Sequence, residues 1–298
     1  MIDRRLLLEW YEPRRGAYPW RSCPDPYHVL VAEFMLQQTQ VARVVPAHAA
    51  FLERFPSVEV LAEAPLAEVI RAWAGLGYNR RAVALWRTAG YVVTRFGGRI
   101  PSHPGELESL PGIGPYTAAA VASQAYGFPA AAVDTNVRRV VGRALLGAEP
   151  SEAPAAAVAD AASVWLDPKS PGEWNQALMD LGREHCRPAP SCPACPLLPA
   201  CAAPGPRTAP ARPAPARRSP GRPHRTERFE GSFRQVRGKV VAALRAGPPV
   251  VVGDLALMVG EPVDRVVRAV VALARDGLAT ADDAALGGDP SGSVALPG

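Results

Sequence analysis

A single acidic residue lies inside an otherwise apolar stretch near the start of the chain. Residues 29–41 read VLVAEFMLQQTQV, and Glu33 is flanked on both sides by apolar side chains. A helix that is apolar on every side is buried, and an unpaired carboxylate inside it is costly or takes up a proton. A buried, protonated Glu33 could give its proton to a substrate. The structural alternative is an acid that is paired with an arginine.

A second acidic residue, Asp134, directly precedes an amphipathic helix in VDTNVRRVVGR. An Asp at this place caps a helix N-terminus, which would by itself account for it. About twenty residues earlier the chain reads LPGIG (110–114). The two glycines predict a tight turn between helices, and the free backbone N–H groups of the next helix can bind a phosphate. A hairpin of this kind grips the DNA backbone without reading its sequence.

Four of the five cysteines fall within CRPAPSCPACPLLPAC, with the spacing C-x5-C-x2-C-x5-C. We expect metal binding from this cluster, because the start of the chain shows no signal peptide that would send it to an oxidising compartment. Four thiolates can close around one zinc ion or one [4Fe–4S] cube, and their spacing leaves both open. The ligands would be Cys186, Cys192, Cys195 and Cys201. Cys23 stands apart and is expected to be a packed thiol.

The remaining pattern predicts a mainly α fold. Two short helices are expected in 56–77 and longer ones in 79–98 and 171–186, and no strand pattern of useful length appears before about residue 205. Residues 203–228 form a Pro/Ala/Arg-rich linker. Residues 229–298 predict three helices and two strands, LAT and SVAL, which together suggest a small winged-helix-like unit.

The composition limits the kind of partner and the location that the protein can have. The chain has 298 residues, a net charge of +5 and a pI of about 9.1, which suits an anionic partner such as nucleic acid. No run of about 18 apolar residues would span a membrane. A cytoplasmic protein is expected.

Three arginines near Asp134 are expected to face solvent or phosphate: Arg138, Arg139 and Arg143.

Hairpin, aspartate and cysteine cluster, in this order, resemble the helix-hairpin-helix DNA glycosylases of the endonuclease III superfamily. The segments 18–46, 75–82 (GLGYNRRA), 110–121 (LPGIGPYTAAAV), 133–140 (VDTNVRRV) and 175–182 (NQALMDLG) are similar to adenine DNA glycosylases of the MutY type. The resemblance covers about residues 5–202. It implies a six-helix barrel domain over 21–129 with the helix-hairpin-helix and an iron–sulfur domain made from 1–20 and 130–202. The linker 203–228 and the unit 229–298 lie outside it.

The resemblance also implies a reaction and its residues. A monomeric enzyme at the bacterial nucleoid would remove adenine mispaired with 8-oxoguanine or guanine in double-stranded DNA. Glu33 would protonate the adenine, Asp134 would stabilise the sugar cation or bond to it, and Tyr116 and Asn136 would position these groups. The four cysteines would hold a [4Fe–4S] cluster. The base- and DNA-binding residues would be Arg21, Gln37, Gln38, Thr39, Tyr78, Leu110, Gly112 and Gly114.

Two departures and two alternatives accompany this resemblance, together with one residue that bears on the type of reaction. Tyr116 stands where lyase relatives have a lysine, so a monofunctional hydrolase is expected. The first cysteine spacing is one residue shorter than usual, and residues 229–298 contain no Nudix-like domain of the kind that typical members use to read 8-oxoguanine, which leaves the opposite base open. A mismatch thymine or uracil glycosylase is one alternative, although such relatives lack the acid at Glu33. A catalytically silent iron–sulfur DNA-binding protein is the other.

Overall fold

The computed structural model of the chain describes residues 2–15, 18–23, 25–203 and 229–298, and helices dominate these ranges. Apart from Ala203, the predicted linker lies outside the described residues. The helices of the first part are α1 (Arg4–Tyr11), α2 (Pro19–Ser22), α3 (Pro26–Leu36), α4 (Val41–Arg54), α5 (Val58–Glu63), α6 (Leu66–Ala72), α7 (Arg80–Phe96), α8 (Pro104–Glu108), α9 (Pro115–Tyr126), α10 (Thr135–Leu146), α11 (Ala155–Trp165) and α12 (Pro171–Glu184).

Residues 229–298 contain α13 (Phe233–Ala246), α14 (Val252–Val259), α15 (Val263–Arg275) and the short α16 (Asp283–Leu286). Three strands accompany them: β1 (Val250–Val251), β2 (Thr280–Ala281) and β3 (Ser293–Ala295). They form an antiparallel sheet in the order β1-β3-β2, with Val250 opposite Val294 and Thr280 opposite Ala295. The three helices and two predicted strands are confirmed as a winged-helix-like arrangement. The sequence did not predict β1, which is only two residues long.

The chain divides into two compact units, each built from two segments. Unit 1 comprises residues 1–33 and 100–221, and unit 2 comprises 34–99 and 222–298. These bounds differ from the domain boundaries predicted above, which stay a prediction. Among the described residues, no helix has the length and apolar character needed to cross a membrane.

Unit 1 is organised around α12, against which α1, α9 and α10 pack. Two buried indoles, Trp165 and Trp174, meet edge to face with ring centroids 5.0 Å apart. The segment before α1 closes the same core, because Trp165 Nε1 donates to the carbonyl of Ile2 at 3.3 Å. The core of unit 1 therefore joins residues from near the start of the chain to residues beyond position 160.

In unit 2, the long helix α7 packs against α5 and α6. Its end is as predicted, since Gly97 takes a left-handed conformation directly after it. Phe51 contacts both Phe55 and Trp73, with centroid separations of 4.9 and 5.9 Å, and all three rings are buried. The winged-helix-like part also belongs to this unit and contacts α6 through α13.

Candidate active site

Glu33 is buried as the sequence predicts, with a relative exposure of 3%, and its neighbours Ala32 and Phe34 are equally enclosed. Burial in these surroundings raises the pKa of Glu33 from 4.5 to about 7. A hydrogen bond from Tyr116 and the charge of Arg21 act in the opposite direction, while the nearby carboxylate of Asp134 raises the pKa further. Desolvation is the largest of these effects, so the carboxyl keeps its proton to near neutral pH.

Tyr116 lies in the first turn of α9. Burial, together with the charges of Glu33 and Asp134, raises the pKa of this phenol well above its usual range, so the group stays protonated. Its oxygen is also 3.1 Å from Met179 Sδ. A thioether is a weak acceptor, and the carboxyl of Glu33 is the stronger partner for the phenolic proton.

Asp134 is the N-cap of α10. Its Oδ1 accepts from the backbone N–H groups of Asn136 and Val137 at 2.8 and 2.7 Å, and its Oδ2 accepts from Asn136 Nδ2 at 2.8 Å. The structural role as a helix cap is therefore real, and it also fixes the carboxylate rigidly. Because Asp134 acts electrostatically on both Glu33 and Tyr116, the cap and the buried acid belong to one cluster.

Two residues of α12 determine how this helix packs against the chain on either side of Asp134. Asn175 accepts from the N–H of Ala132 at 3.1 Å and donates to Ser123 Oγ at 2.9 Å, which ties the segment before Asp134 to α9. Gly182 faces Asn136 so closely that an added Cβ would lie 2.7 Å from the Asn136 Cβ. Only glycine permits this approach of α12 to the start of α10.

Arg21 forms a buried, two-pronged ion pair with Asp180, with N–O distances of 2.8 and 3.2 Å. Its guanidinium lies 4.8 Å from the ring centroid of Tyr18, and its Nε has no hydrogen-bond partner among the described residues. Asp180 was not predicted as a site residue. Its position on the buried face of α12, like that of Glu33 on α3, was the available signal.

The hairpin follows the expected pattern. Leu110 is buried, whereas Gly112 and Gly114 are exposed. Gly112 has a φ of 77°, which favours glycine, and Gly114 is the N-cap residue of α9. The same helix thus presents its N-terminus at the turn and carries Tyr116 one residue further on.

The predicted DNA-facing residues of unit 2 surround Arg81, an arginine that the sequence pattern does not single out. Arg81 donates from Nη1 to the carbonyls of Phe34, Met35 and Gln37 at 2.6–2.8 Å and from Nη2 to Thr39 Oγ1 at 2.9 Å. It thereby caps the C-terminal end of α3. Gln38 follows with a left-handed φ of 58° and an exposed side chain. Tyr78 is 48% exposed, also with a positive φ, of 45°.

The four clustered cysteines are free thiols that line a single cavity together with Arg143, Glu149 and His185. Burial raises the pKa of the thiols of Cys186 and Cys195. Among the described residues no three His, Cys, Asp or Glu side chains converge on a point where they could hold a metal ion. A four-iron cube is ligated at separate corners, so its thiolates need not meet at one point. By number and common enclosure, the four thiols fit such a group. Cys23 is exposed, so its prediction as a packed thiol is wrong.

The predicted surface position is wrong for Arg143, which is buried, while Arg138 and Arg139 are half-buried and also bond to protein groups. Arg143 is 7% exposed and pairs with Glu149 at 2.9 Å. Arg138 donates to the carbonyls of Pro150 and Ala153. Arg139 donates to Asn136 Oδ1 at 2.8 Å and to the carbonyl of Cys186, and so joins the Asp134 cap to the cysteine segment.

A buried acid and a capped aspartate, next to a helix-hairpin-helix, define a DNA glycosylase of the helix-hairpin-helix class, and comparisons agree. A family model described as the HhH-GPD superfamily of base excision DNA repair proteins matches residues 31–165. Among solved structures, a thermostable thymine-DNA glycosylase has a TM-score of 0.63 and 29% identity, covering 67% of this chain and 94% of that one. A trapped endonuclease III–DNA covalent intermediate has a TM-score of 0.57 and 26% identity, covering 68% and 97%. The mainly α, helix-hairpin-helix glycosylase fold is confirmed.

Sequence relatives show to which family of helix-hairpin-helix DNA glycosylases the chain belongs. The chain is 41% identical over 248 residues to the adenine DNA glycosylase of Mycolicibacterium smegmatis, covering 80% of this chain and 79% of that protein. It is 40% identical over 212 residues to the human adenine DNA glycosylase, covering 67% of this chain and 39% of that one. The chain belongs to the adenine DNA glycosylase family of the HhH-GPD superfamily.

Proposed function

We propose that the protein removes adenine that is mispaired with 8-oxoguanine or guanine in double-stranded DNA, acting as a monomeric, monofunctional hydrolase. The observation that carries the proposal is the buried carboxyl of Glu33, whose pKa of about 7 is set by desolvation. Adenine is a poor leaving group, and a carboxyl that is still protonated near neutral pH can protonate it as the glycosidic bond breaks.

Two carboxyl groups with different environments divide the work. Glu33 is enclosed by apolar side chains and holds a proton, whereas the oxygens of Asp134 face three N–H donors. Asp134 would meet the positive charge that develops at the sugar, either electrostatically or by a transient bond. A pair of acids with opposite duties is the logic of glycoside hydrolysis. Tyr116 would hold Glu33, and Asn136 would hold Asp134.

Reaching this buried carboxyl requires that the base leave the duplex. The exposed Gly112 and Gly114 and the N-terminus of α9 suit a phosphate of the DNA backbone. Arg21 would contact the base with its Nε, which has no hydrogen-bond partner in the part of the chain that the structure describes. Gln37, Gln38 and Thr39, at the end of α3, would lie at the DNA edge, and Tyr78 would insert beside the opposite purine.

The four cysteines would hold a [4Fe–4S] cluster through Cys186, Cys192, Cys195 and Cys201. When bound, the cluster would cross-link the segment 186–201 and so stabilise the fold there. Arg143, whose Nη1 is 3.7 Å from Cys186 Sγ, would offset negative charge on the thiolates. The cysteine segment would in turn fix Arg139 beside Asn136.

The function is tested by incubating the protein with duplexes that carry A:8-oxoguanine, A:G, T:G or U:G pairs and then treating them with alkali. We expect strand cleavage at the adenine of the first two duplexes only. Cleavage of T:G or U:G alone would instead support a mismatch thymine or uracil glycosylase, a reading to which the structural likeness to a thymine-DNA glycosylase lends some support. Binding without cleavage of any duplex would support a silent iron–sulfur protein.

A further inference from the structure

We propose that the C-terminal part of unit 2, residues 229–298, positions the loop that carries Tyr78, and that Arg245 makes the deciding contact. Arg245 would then be a positioning residue for base excision, acting through Tyr78. The inference rests on the proposed role of Tyr78 at the DNA. It assigns a task to a part of the chain for which the sequence predicted a fold and no role.

The loop between α6 and α7 is strained and exposed. Gly75, Gly77 and Tyr78 have φ values of 83°, 71° and 45°. For a non-glycine residue such as Tyr78, the left-handed region is strained, and this conformation persists only where the surroundings impose it. Nearly half of the Tyr78 surface is exposed, and the Arg81 guanidinium lies 5.6 Å from the centroid of its ring.

One set of contacts comes from residues next to the loop in the chain. Trp73 Nε1 donates to the carbonyl of Gly77 at 3.2 Å. Arg81 donates from Nη2 to the same carbonyl at 3.1 Å. Arg81 also donates to the carbonyls of Leu76 and Tyr78, each at 3.4 Å, and its guanidinium lies 5.5 Å from the centroid of the Trp73 ring. Arg43 donates to the carbonyl of Gly75. These contacts hold the middle of the loop.

Arg245, at the end of α13, adds hydrogen bonds at both ends of the loop. Its Nε donates to the carbonyl of Ile70 in α6 at 3.0 Å, and its Nη2 donates to Asn79 Oδ1, directly before α7, at 2.8 Å. Arg71 returns a hydrogen bond from its Nε to the Arg245 carbonyl at 3.4 Å. One guanidinium thus bridges the end of α6 and the start of α7, and Asn79 is the immediate neighbour of Tyr78.

A second contact extends the attachment along α7. Asp276 lies 3.7 Å from Arg80 Nε. Gly277, with a φ of 72°, is so close that an added Cβ would lie 3.3 Å from Arg87 and 3.6 Å from Val83. The C-terminal part is therefore seated on the first two turns of α7 as well as on the loop ends.

The net charge of residues 229–298 favours a structural role at the Tyr78 loop over a role as a separate DNA-binding module. They contain seven Lys and Arg and eight Asp and Glu, a net charge of −1. In α15, the helix that would enter the major groove in a winged helix, Arg265 pairs with Glu261 and Arg268 with Asp264. A unit without excess positive charge gains little from phosphate contacts.

The test is a double-mutant analysis on the full, iron-loaded protein. Single-turnover adenine release and the Kd for an uncleavable mispaired duplex are measured for Arg245→Ala, Tyr78→Ala and the double variant. We expect Arg245→Ala to slow adenine release about tenfold and to raise the Kd about tenfold. In the Tyr78→Ala background the same substitution should have no further effect. Arg268→Ala is the matched control and should behave as the parent, because Arg268 is exposed and pairs with its helix neighbour Asp264.

Equal effects of Arg245→Ala in the parent and in the Tyr78→Ala background would overturn the inference, as would no effect at all. Asn79→Ala removes the same hydrogen bond from the other side and serves if Arg245→Ala does not fold. If the parent protein releases no adenine, the proposed function fails. The Kd measurements on the same variants still decide whether Arg245 acts through Tyr78.

Discussion

Tyr116 donates a hydrogen bond to the buried carboxyl of Glu33, although the two residues are separated by more than eighty positions in the chain. Burial and the two neighbouring carboxyl groups raise the pKa of the phenol, so it is a donor at every physiological pH. The bond orients Glu33 without taking its proton. It also explains why a residue with no acid–base role of its own would sit at the centre of the cluster.

Replacing Glu33 with Gln should abolish adenine release while DNA binding persists. Gln keeps the shape of the side chain and can still accept from Tyr116, but it has no acidic proton to donate. General acid catalysis contributes roughly 100- to 10,000-fold to such rates, and we expect a loss in this range under single turnover. Glu63→Gln, an acid at the end of α5, is the control. Retention of more than a tenth of the activity by Glu33→Gln would contradict the assignment.

The rate of adenine release should depend on pH through Glu33. Its pKa of about 7 means that the acid form is lost as the pH rises through that value. We expect a single-turnover rate that falls about tenfold per pH unit above neutrality. A rate that stays level from pH 6 to pH 9 would show that Glu33 is not the acid.

The free energy of unfolding should also depend on the ionisation of Glu33, and this contribution should fall as the pH rises. The unfolded chain releases the Glu33 proton near pH 4.5, whereas the folded chain retains it to about pH 7. The folded state binds more protons in this window, so burying Glu33 costs more as the pH rises through it, by about 3 kcal/mol in all. Glu33→Gln lacks this cost. Its free energy of unfolding, measured in urea and compared with the parent, should gain by about that amount between pH 4.5 and pH 8.

Asp134→Asn should stop adenine release and leave both fold and DNA affinity in place. Asn caps a helix as well as Asp does, so Oδ1 can still accept from Asn136 and Val137, while the negative charge is lost. Asp3→Asn makes the same change at the N-cap of α1, where the side chain accepts from the N–H of Arg5, and should be fully active. An active Asp134→Asn would leave Asp134 as a cap only.

The cysteine cavity predicts a selective loss of iron. Cys195→Ser removes one of the four thiols that line the cavity, and we expect it to lower iron and sulfide content and the broad visible absorption of the purified protein. Cys23→Ser changes an exposed thiol elsewhere and should leave all three unchanged. Stoichiometric zinc in place of iron in the parent protein would refute the cluster.

The parts of the site that local pattern predicts are those where one residue contradicts its neighbours. Glu33 stands out because it is an acid within an apolar helix, and the structure buries it as expected. The cap at Asp134 and the stop at Gly97 follow from short-range backbone chemistry, and both are observed. These features are set within one or two helical turns, which is the range over which sequence pattern is informative.

The missed features all depend on long-range partners. Arg143 was expected at the surface because its sequence neighbourhood does not show that it faces the cysteine cavity, where it donates to the carbonyl of Arg187 at 2.6 Å. Arg81 was not singled out, since its acceptors are backbone carbonyls of α3 that carry no side-chain signature. Strand β1 is too short to produce an alternation, and it exists because β3 pairs with it.

The interleaving of the two units has a consequence for biosynthesis. Unit 1 is interrupted after Glu33 and resumes at Ile100, and unit 2 begins at Phe34 and resumes after residue 221. A chain emerging from the ribosome therefore displays Glu33 well before Tyr116 and Asp134 exist to receive it. The segment that bears Tyr78 lacks its contact with Arg245 for longer still, because Arg245 is translated later than the whole of unit 1. A premature stop before Arg245 would release a chain whose loop at Tyr78 lacks the hydrogen bonds from Arg245, and we expect proteases to cut such a chain there first.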